Sequence, residues 1–469
     1  MDLPIELDPA DPGPLYLQIA QRLRDAVTGG TLKAGARLPS ARALASQLAV
    51  ARGTIDAAYA VLAGEGAIHT RRGSGGTIIS THFTARAPQP VQPNMFFARR
   101  TEVAEPPLPF RMGLPALDVF PRKTWSALTT RMVRTIGAEA MAYPDPAGLL
   151  ALRQGIASYL SLSRGIHAAP DQIIITAGFQ GALALVRQVI LKPGDAVWTE
   201  DPGYPMARQA LEASGVRLVP LRVDRDGMRV ASGRTAAPRA RLALVTPAHQ
   251  SPLGVTLSLP RRLDLLAWAA EAGTWVLEDD YDGEFHYAGK PLPALKSLDR
   301  AGRVLYAGSF SKALYPGLRL GYLVVPDEVN GAFLRASRLL TGGPPMLEQR
   351  VVAAFMEQGH FARHLRRMRA LYAARRDALA RALTETIGDR FRIAPEGGGL
   401  HLLARLPDTE DDTVLARHAN AAGLAVTALS SLTAAHDCGR GLLLGFTNIP
   451  AEDAGPMARR LAAALGLEA

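Results

Sequence analysis

From about residue 110 onward, short apolar runs alternate with helical stretches. Runs typical of buried strands occur at 172–176, 196–200, 241–247, 274–280, 303–309 and 320–326. Because crossover helices join parallel strands, this alternation predicts an α/β domain with a mostly parallel central sheet. Residues 333–385 have mainly helical periodicity, and mixed α and β segments follow them.

The first 80 residues have a different pattern. Apolar side chains recur every four residues from Leu15 to Val27, which places them on one face of a helix. A second helix follows Ser40 as its predicted N-cap, and a third begins near Arg52 and stops near Gly64. Two short β segments around a glycine-rich tip come next. Three helices followed by a hairpin predict a winged helix-turn-helix.

The boundaries follow from these changes of pattern. Residues 1–80 form the predicted winged helix-turn-helix domain, and residues 110–469 form the predicted α/β domain. Between them, residues 81–109 hold six prolines and little periodicity. Proline stiffens such a segment into extended geometry, so we interpret it as a linker.

Composition restricts the partners and the compartment. The net charge of +10 favours a polyanionic partner, and residues 14–80 carry eight basic and three acidic side chains. A single cysteine, Cys438, excludes an intrachain disulfide framework and fits a reducing cytosol. The chain has no apolar run of transmembrane length and an acidic, proline-rich start, so we expect a cytoplasmic protein without a membrane span.

The third helix of the first domain has the residues of a DNA-reading element. Arg52, Gly53 and Thr54 open it, and an arginine there can pair with a guanine edge while a threonine donates to a phosphate or base. Arg37 and Arg42 lie at the preceding helix, and Arg72 lies on the predicted wing. From composition alone, a solvated three-helix domain with scattered arginines stays open.

The segment RLPSARALASQLAVARGTIDAAYAVLAGEGAIHTRRGSGG is more specific, because it resembles the winged-helix domain of the GntR regulator family. The resemblance implies that Arg42, Arg52 and Thr54 read bases or phosphates and that Gly75 marks the wing tip. Ala51 replaces the serine or threonine frequent in the family, which puts one phosphate contact in doubt. The predicted DNA-binding residues are Arg37, Ser40, Arg42, Arg52, Gly53, Thr54, Arg72 and Gly75.

In the second domain, Lys312 stands out because the chain has only six lysines among 53 basic residues. A primary amine can condense with an aldehyde, which a guanidinium cannot do. Ser309, Ser311 and Arg319 lie beside it in GSFSKALYPGLRLGY, and hydroxyl and guanidinium groups bind phosphate. A surface lysine in a turn is the alternative for the serine–lysine pair taken alone.

Other polar segments follow the predicted strands. Asp279 and Tyr281 end one strand, and a carboxylate there can hold a pyridinium N–H. TAGFQGAL, with Gly178, Phe179 and Gln180, forms a strand-to-helix turn suited to a phosphate. Tyr204 in DPGYP is suited to stacking on a planar ring. All of these segments lie at predicted carboxyl ends of strands, where open α/β sheets bind ligands.

The order of these motifs resembles fold-type I aminotransferases, which use pyridoxal 5′-phosphate (PLP). The resemblance covers about residues 110–469 and implies that Lys312 forms the internal aldimine, Asp279 bonds the pyridine nitrogen and Tyr281 bonds the ring O3′. It also implies that Tyr204 stacks on the ring. The phosphate would be held by Gly178, Phe179, Gln180, Ser309, Ser311 and Arg319, with Tyr143 lent to the partner subunit's phosphate site.

Two departures from that family concern turnover. Such aminotransferases clamp the substrate α-carboxylate with an arginine near the chain end, and Leu443 of LLLGF stands at that position. Arg208 and Arg440 are the candidates to replace it in binding an effector. Ser251 stands where an asparagine is usual. A PLP site is therefore expected, without the complete set of residues for ordinary α-amino acid turnover.

Together the two halves resemble the MocR subfamily of GntR regulators, a winged helix-turn-helix fused to a fold-type I aminotransferase-like domain. The resemblance implies a cytoplasmic, head-to-tail homodimer that binds double-stranded DNA. It also implies that the dimer senses PLP, or an amino compound that forms an external aldimine, and controls genes of vitamin B6 or amino-compound metabolism.

Three alternatives differ from this expectation. An active aminotransferase with an accessory DNA-binding domain would produce 2-oxo acids continuously, and a PLP enzyme could use its first domain for protein contacts alone. His360 and His364 have the spacing of a metal pair. They lie in an arginine-rich amphipathic segment without a third ligand, so no metal is expected.

Overall fold

The computed structural model describes residues 13–29, 31–71, 76–80, 107–287, 293–393 and 397–467, together with a few isolated positions before residue 13. The chain divides into two compact units, Met1–Val103 and Ala104–Ala469. No helix in the described part of the chain is long and apolar enough to cross a bilayer.

The first unit is the predicted winged helix-turn-helix. Its elements are α1 (Leu15–Thr28), α2 (Ala41–Leu48), α3 (Arg52–Gly64), β1 (Ile68–Arg71) and β2 (Gly76–Ile79). The two strands pair antiparallel. The helices pack through fully buried Ile19, Leu44 and Ile55, as their spacing predicts, whereas Leu15 at the start of α1 is exposed. Ser40 caps α2, because its Oγ accepts a hydrogen bond from Ala43 N at 3.2 Å.

The second unit is built on an eight-stranded sheet, and all six predicted strand segments are present. The strands are β3 (Ile173–Thr176), β4 (Ala196–Asp201), β5 (Arg217–Asp224), β6 (Gly227–Met228), β7 (Leu242–Val245), β8 (Trp275–Asp280), β9 (Val304–Ser309) and β10 (Gly321–Val324). Their order in the sheet is β3-β10-β9-β8-β7-β4-β5-β6.

The pairing of these strands sets the position of the site. β5, β4, β7, β8 and β9 run parallel, while β10 runs antiparallel to both β9 and β3. β3 therefore points the same way as β9, and the carboxyl ends of β3, β4, β7, β8 and β9 share one edge of the sheet. The sequence did not predict β5, where Pro220 and exposed arginines interrupt the apolar run.

Helices cover the sheet and lead to a smaller sheet. They are α4 (Arg122–Arg134), α5 (Leu150–Arg164), α6 (Gly178–Ile190), α7 (Pro205–Glu212), α8 (Val230–Ala236), α9 (Leu259–Ala272), α10 (Leu295–Leu298), α11 (Phe310–Ala313), α12 (Asp327–Thr341), α13 (Met346–Glu357), α14 (His360–Ile387), α15 (Asp412–Ala421) and α16 (Ala454–Ala464). The smaller antiparallel sheet comprises β11 (Arg392–Ile393), β12 (His401–Leu406), β13 (Thr427–Ala428) and β14 (Arg440–Gly445), in the order β11-β12-β14-β13.

Candidate functional site

A cavity of about 400 Å³ lies where the predicted loops meet at the carboxyl edge of the large sheet. Most of the side chains that the sequence assigns to a cofactor line it. They are Phe179, Gln180, Tyr204, Asp279, Tyr281, Ser309, Ser311, Lys312 and Arg319. The topology thus brings together residues that are separated by as much as 140 positions in the chain.

Lys312 lies on α11, directly after β9. Ser309 caps this short helix by accepting a hydrogen bond from Ser311 N at 3.1 Å, which orients the turn. The Lys312 amine donates to Gly113 O at 2.6 Å. Burial lowers the pKa of Lys312 below its usual range, although the carboxylates of Asp282 and Asp279 favour the charged amine. The amine is therefore poised to lose its proton more readily than an exposed lysine.

Arg319 and the start of α6 form a second part of the cavity. Arg319 has a left-handed backbone (φ 49°), and its guanidinium donates to Ala177 O at 3.2 Å. A Cβ on Gly178, which also has a positive φ, would lie 3.6 Å from that guanidinium. Gln180 Nε2 is buried and has no hydrogen-bond partner among the described residues. These donors at a helix N-terminus can bind an anion.

Asp279 is a buried carboxylate that lines the cavity. No described residue donates a hydrogen bond to it, which is costly for a buried charge unless a ligand supplies the donor. Burial raises the pKa of Asp279 well above its usual range, and the neighbouring charges of Asp280, Asp282 and Glu200 act in the same direction. A cationic N–H in the cavity would therefore find an acceptor here.

Tyr281 and Tyr204 occupy two further walls. The Tyr281 hydroxyl lies 3.1 Å from His249 Nδ1, and that nitrogen lies 3.2 Å from Asp282 Oδ2. Tyr204 is partly exposed, and its ring centroid lies 6.2 Å from that of Phe179. A planar ligand in the cavity can therefore contact both an aromatic face and a phenolic hydroxyl.

Other predicted site residues lie apart from the cavity. Tyr143 is 98% exposed. Arg440 is half-exposed and pairs with Asp437 at 3.2 Å, so the structure does not bring it to this cavity. Arg208 lies closer, since its guanidinium donates to the carbonyl of cavity residue Leu432 at 3.3 Å. Leu443 is fully buried in β14.

Six of the eight predicted DNA-reading residues lie on α2, on α3 and in the segment before α2. Arg37, Ser40 and Arg42 are exposed, and Arg37 bridges to β2 through its backbone. Arg52 is exposed at the start of α3 and lies 3.4 Å from Asp56. Gly53 is exposed, Thr54 is half-buried, and Arg72 and Gly75 lie outside the described residues.

Comparison with known proteins accounts for both units. Residues 15–78 match the family model of bacterial regulatory proteins of the gntR family, and residues 120–443 match aminotransferase class I and II. The probable rhizopine catabolism regulatory protein MocR of Rhizobium meliloti is 36% identical over 93% of this chain and 90% of its own length. The chain belongs to the MocR-type GntR regulators.

Further relatives of this MocR-type chain agree with both units. The pyridoxine biosynthesis transcriptional regulator PdxR of Corynebacterium glutamicum is 34% identical over 95% of this chain and 94% of its own. Among solved structures, the α-aminoadipate aminotransferase LysN of Thermus thermophilus, complexed with N-(5′-phosphopyridoxyl)-L-leucine, is 30% identical with a TM-score of 0.70. That likeness covers 77% of this chain and 92% of LysN.

Several cavity residues of this MocR-type chain escaped sequence reasoning. Leu400, His401 and Thr427 of the smaller sheet and its connections line the cavity. The one sequence feature that could have indicated them is the glycine run before β12, since glycines often mark a close approach of the backbone to another group. In the structure, a Cβ on Gly399 would come within 1.9 Å of the His249 ring. Burial lowers the pKa of His401 to about 4, so its imidazole is neutral at neutral pH.

Glu200, at the end of β4, supports a prediction about pH. Burial raises its pKa from 4.5 to about 7, against hydrogen bonds from Thr246 and Gln250. Between pH 4.5 and about pH 7, Glu200 is protonated in the folded chain and ionised in the unfolded chain. The free energy of unfolding therefore falls as the pH rises through this range. Glu200→Gln removes the titration. Relative to wild type, the variant's free energy of unfolding should increase by on the order of 1–3 kcal/mol between pH 5 and pH 8.

Urea unfolding followed by tryptophan fluorescence measures this, because all four tryptophans lie after residue 120, in the larger unit. Glu385→Gln, at an exposed position of α14, is the matched control and should show the same difference from wild type at both pH values. An equal pH response of Glu200→Gln and wild type would contradict the prediction.

Proposed function

We propose that this protein is a cytoplasmic transcriptional regulator that binds DNA through residues 1–80 and PLP through residues 110–469, joined by a linker at 81–109. It would sense PLP itself or an amino compound, and control genes of vitamin B6 or amino-compound metabolism. The observation that carries the proposal is the part-buried amine of Lys312, which lines the same cavity as Asp279, a buried carboxylate that accepts no hydrogen bond from the described residues. The same chain also has a GntR domain.

The residues present fit PLP. When bound, this cofactor supplies an aldehyde that condenses with primary amines and a ring that withdraws electrons. Lys312 would hold it covalently, Asp279 would accept the hydrogen bond of the ring N–H, and Tyr281 would contact the ring oxygen. Tyr204 would cover one ring face. The phosphate would lie against Ser309, Ser311, Arg319 and the α6 start at Gly178, Phe179 and Gln180, where a buried amide lacks a partner.

Two residues of the smaller sheet favour sensing over turnover. Leu443 is buried in β14, at the position where the family resemblance places the carboxylate-binding arginine. His401, which lines the cavity, is uncharged at neutral pH. Arg208 is the remaining effector candidate near the cavity, while Arg440 is held by Asp437. Weak binding of an α-carboxylate would slow transamination without preventing the site from binding PLP or an amine.

A head-to-tail homodimer is part of the proposal. Tyr143 is 98% exposed and lies in a segment with Met141, which is 70% exposed. Large apolar side chains exposed together commonly mark an interface. In the dimer, Tyr143 would contact the partner's phosphate site, and two winged helices would bind two half-sites of double-stranded DNA.

Arg52→Ala tests the DNA-binding part. Because Arg52 is exposed at the start of α3, its loss should weaken binding to the protein's own upstream DNA by about 1–3 kcal/mol. Fluorescence anisotropy with the full chain at fixed salt measures this. Arg22→Ala, an exposed change on α1 outside the predicted reading set, controls for net charge. Equal affinities of Arg52→Ala and Arg22→Ala would refute the assignment.

Lys312→Ala tests the cofactor part. Wild-type chain mixed with PLP should gain visible absorbance that borohydride abolishes while fixing the cofactor to the protein. The variant lacks the only amine facing the described cavity residues and should do neither. Lys123→Ala, at an exposed position of α4, should behave as wild type. A lysine-bound spectrum in Lys312→Ala would disprove the proposed attachment.

A further inference from the structure

The segment 108–114, called the strap below, leads from the end of the predicted linker into the large cavity. Met112 and Gly113 line the cavity together with Lys312. The carbonyl of Gly113 accepts a hydrogen bond from the Lys312 amine at 2.6 Å. The main chain of the strap therefore holds the lysine that the proposed function assigns to PLP.

Only a glycine fits at position 113. Its backbone has a positive φ of 72°, a conformation that residues with a side chain adopt at a cost in free energy. A Cβ at this position would also lie 2.9 Å from Lys312 Nζ, closer than Cβ atoms normally approach another heavy atom. The close contact between the strap and the amine thus depends on the absence of a side chain at residue 113.

The smaller sheet and the turn after β14 anchor the strap on both sides of Gly113. Gly445 N donates to Phe110 O at 2.8 Å. Thr447, which is fully buried, donates its hydroxyl hydrogen to the carbonyl of Leu114, the residue directly after Gly113. Because the strap is held before and after Gly113, these bonds fix the position from which the Gly113 carbonyl meets the amine.

Reaction of Lys312 with an aldehyde changes this contact. The nitrogen forms a double bond to the aldehyde carbon, and its two hydrogens leave with the aldehyde oxygen as water. It then has no N–H, or a single one in the plane of the double bond if it is protonated, whereas an ammonium group has three that rotate freely. The Gly113 carbonyl therefore loses the donor that holds it. A second amine that takes over the double bond passes its two hydrogens to Lys312 and restores that donor.

We propose that Gly113 and Thr447 are positioning residues for Lys312, and that reaction of Lys312 with an aldehyde breaks its hydrogen bond to Gly113 and releases the strap. Because the strap continues directly into the linker, its release transmits the state of the lysine to the linker. The positioning part concerns the unmodified lysine and is independent of PLP. The signalling part rests on the proposed function, in which PLP supplies the aldehyde.

Gly113→Ala tests the positioning part without any cofactor. The added methyl group displaces the amine from the Gly113 carbonyl, and a hydrogen bond to a carbonyl favours the charged amine. The pH at which Lys312 is half-maximally labelled should therefore fall by about one unit. Trace labelling with acetic anhydride and mass spectrometry measures this, with exposed Lys123 as the reference in the same sample.

Gly273→Ala is the matched control, because Gly273 also has a positive φ (61°) but no atom lies within 4 Å of an added Cβ. It should label Lys312 as wild type does. An unchanged labelling pH in Gly113→Ala would overturn the positioning role of Gly113.

Thr447→Val tests the anchor from a position further along the chain. Valine has the shape of threonine without the hydroxyl, so Leu114 O loses its donor and the labelling pH of Lys312 should shift in the same direction as in Gly113→Ala. Thr447→Ser keeps the hydroxyl and should label as wild type. Equal labelling of Thr447→Val and Thr447→Ser would overturn the role of Thr447.

Binding to the protein's own upstream DNA, followed by fluorescence anisotropy, tests the signalling part. Attached PLP should change the DNA affinity of wild type and Gly273→Ala by about fivefold or more. In Gly113→Ala the hydrogen bond is already absent, so the change should stay below about twofold. Borohydride fixation and mass spectrometry establish that the cofactor is attached, and Thr447→Val replaces Gly113→Ala in this comparison if the latter does not fold or attach PLP.

Equal responses of Gly113→Ala and wild type, or no response of wild type to attached PLP, would overturn the signalling part. Failure of wild type to bind PLP would refute the proposed function and the signalling part together. The labelling of unmodified Lys312 would still decide the positioning part, because it uses no PLP.

Discussion

The last three residues of β8, Glu278, Asp279 and Asp280, carry buried carboxylates. The candidate site depends on which of these carboxylates accept hydrogen bonds from the protein. Asp280 accepts from Arg164 at 2.7 Å, and Glu278 accepts two backbone N–H bonds at 2.9 and 2.8 Å. Asp279 between them has no donor from the described residues. A buried carboxylate without a partner is destabilising, so the fold keeps it only where something else supplies a positive charge or an N–H. Lys312 supplies part of that charge, and a cationic ring supplies the rest in the proposed function.

The smaller C-terminal sheet completes this arrangement by long-range contacts. Asp201, which is fully buried at the end of β4, accepts three hydrogen bonds from the backbone N–H groups of residues 434–436, at 2.7–2.8 Å. His401 Nε2 lies 2.8 Å from Pro252 O. Such contacts fix the wall that an effector would meet.

Six strands of the large sheet were predicted because each is an apolar run bounded by polar residues. Parallel strands have their carboxyl ends at one edge of the sheet, whatever the sequences of the loops. Lys312 and Asp279 were found for that reason. A four-residue apolar run does not indicate strand direction, so the antiparallel direction of β10 was not predicted. β5 was missed because Pro220 interrupts its apolar run. Cavity residues such as His401 depend on the packing of two sheets, which local periodicity does not encode.

In the proposed function, the aminotransferase-like unit uses Lys312 to sense a ligand and does not catalyse sustained transamination. The most direct test measures the affinity of the full chain for its own upstream DNA, with and without PLP and a panel of amines, in wild type and in Lys312→Ala. If Lys312 is the sensing group, PLP, alone or with one amine, changes the DNA affinity of wild type and leaves that of the variant unchanged. An identical response in both proteins, or sustained 2-oxo acid production by wild type without any change in DNA affinity, would contradict it.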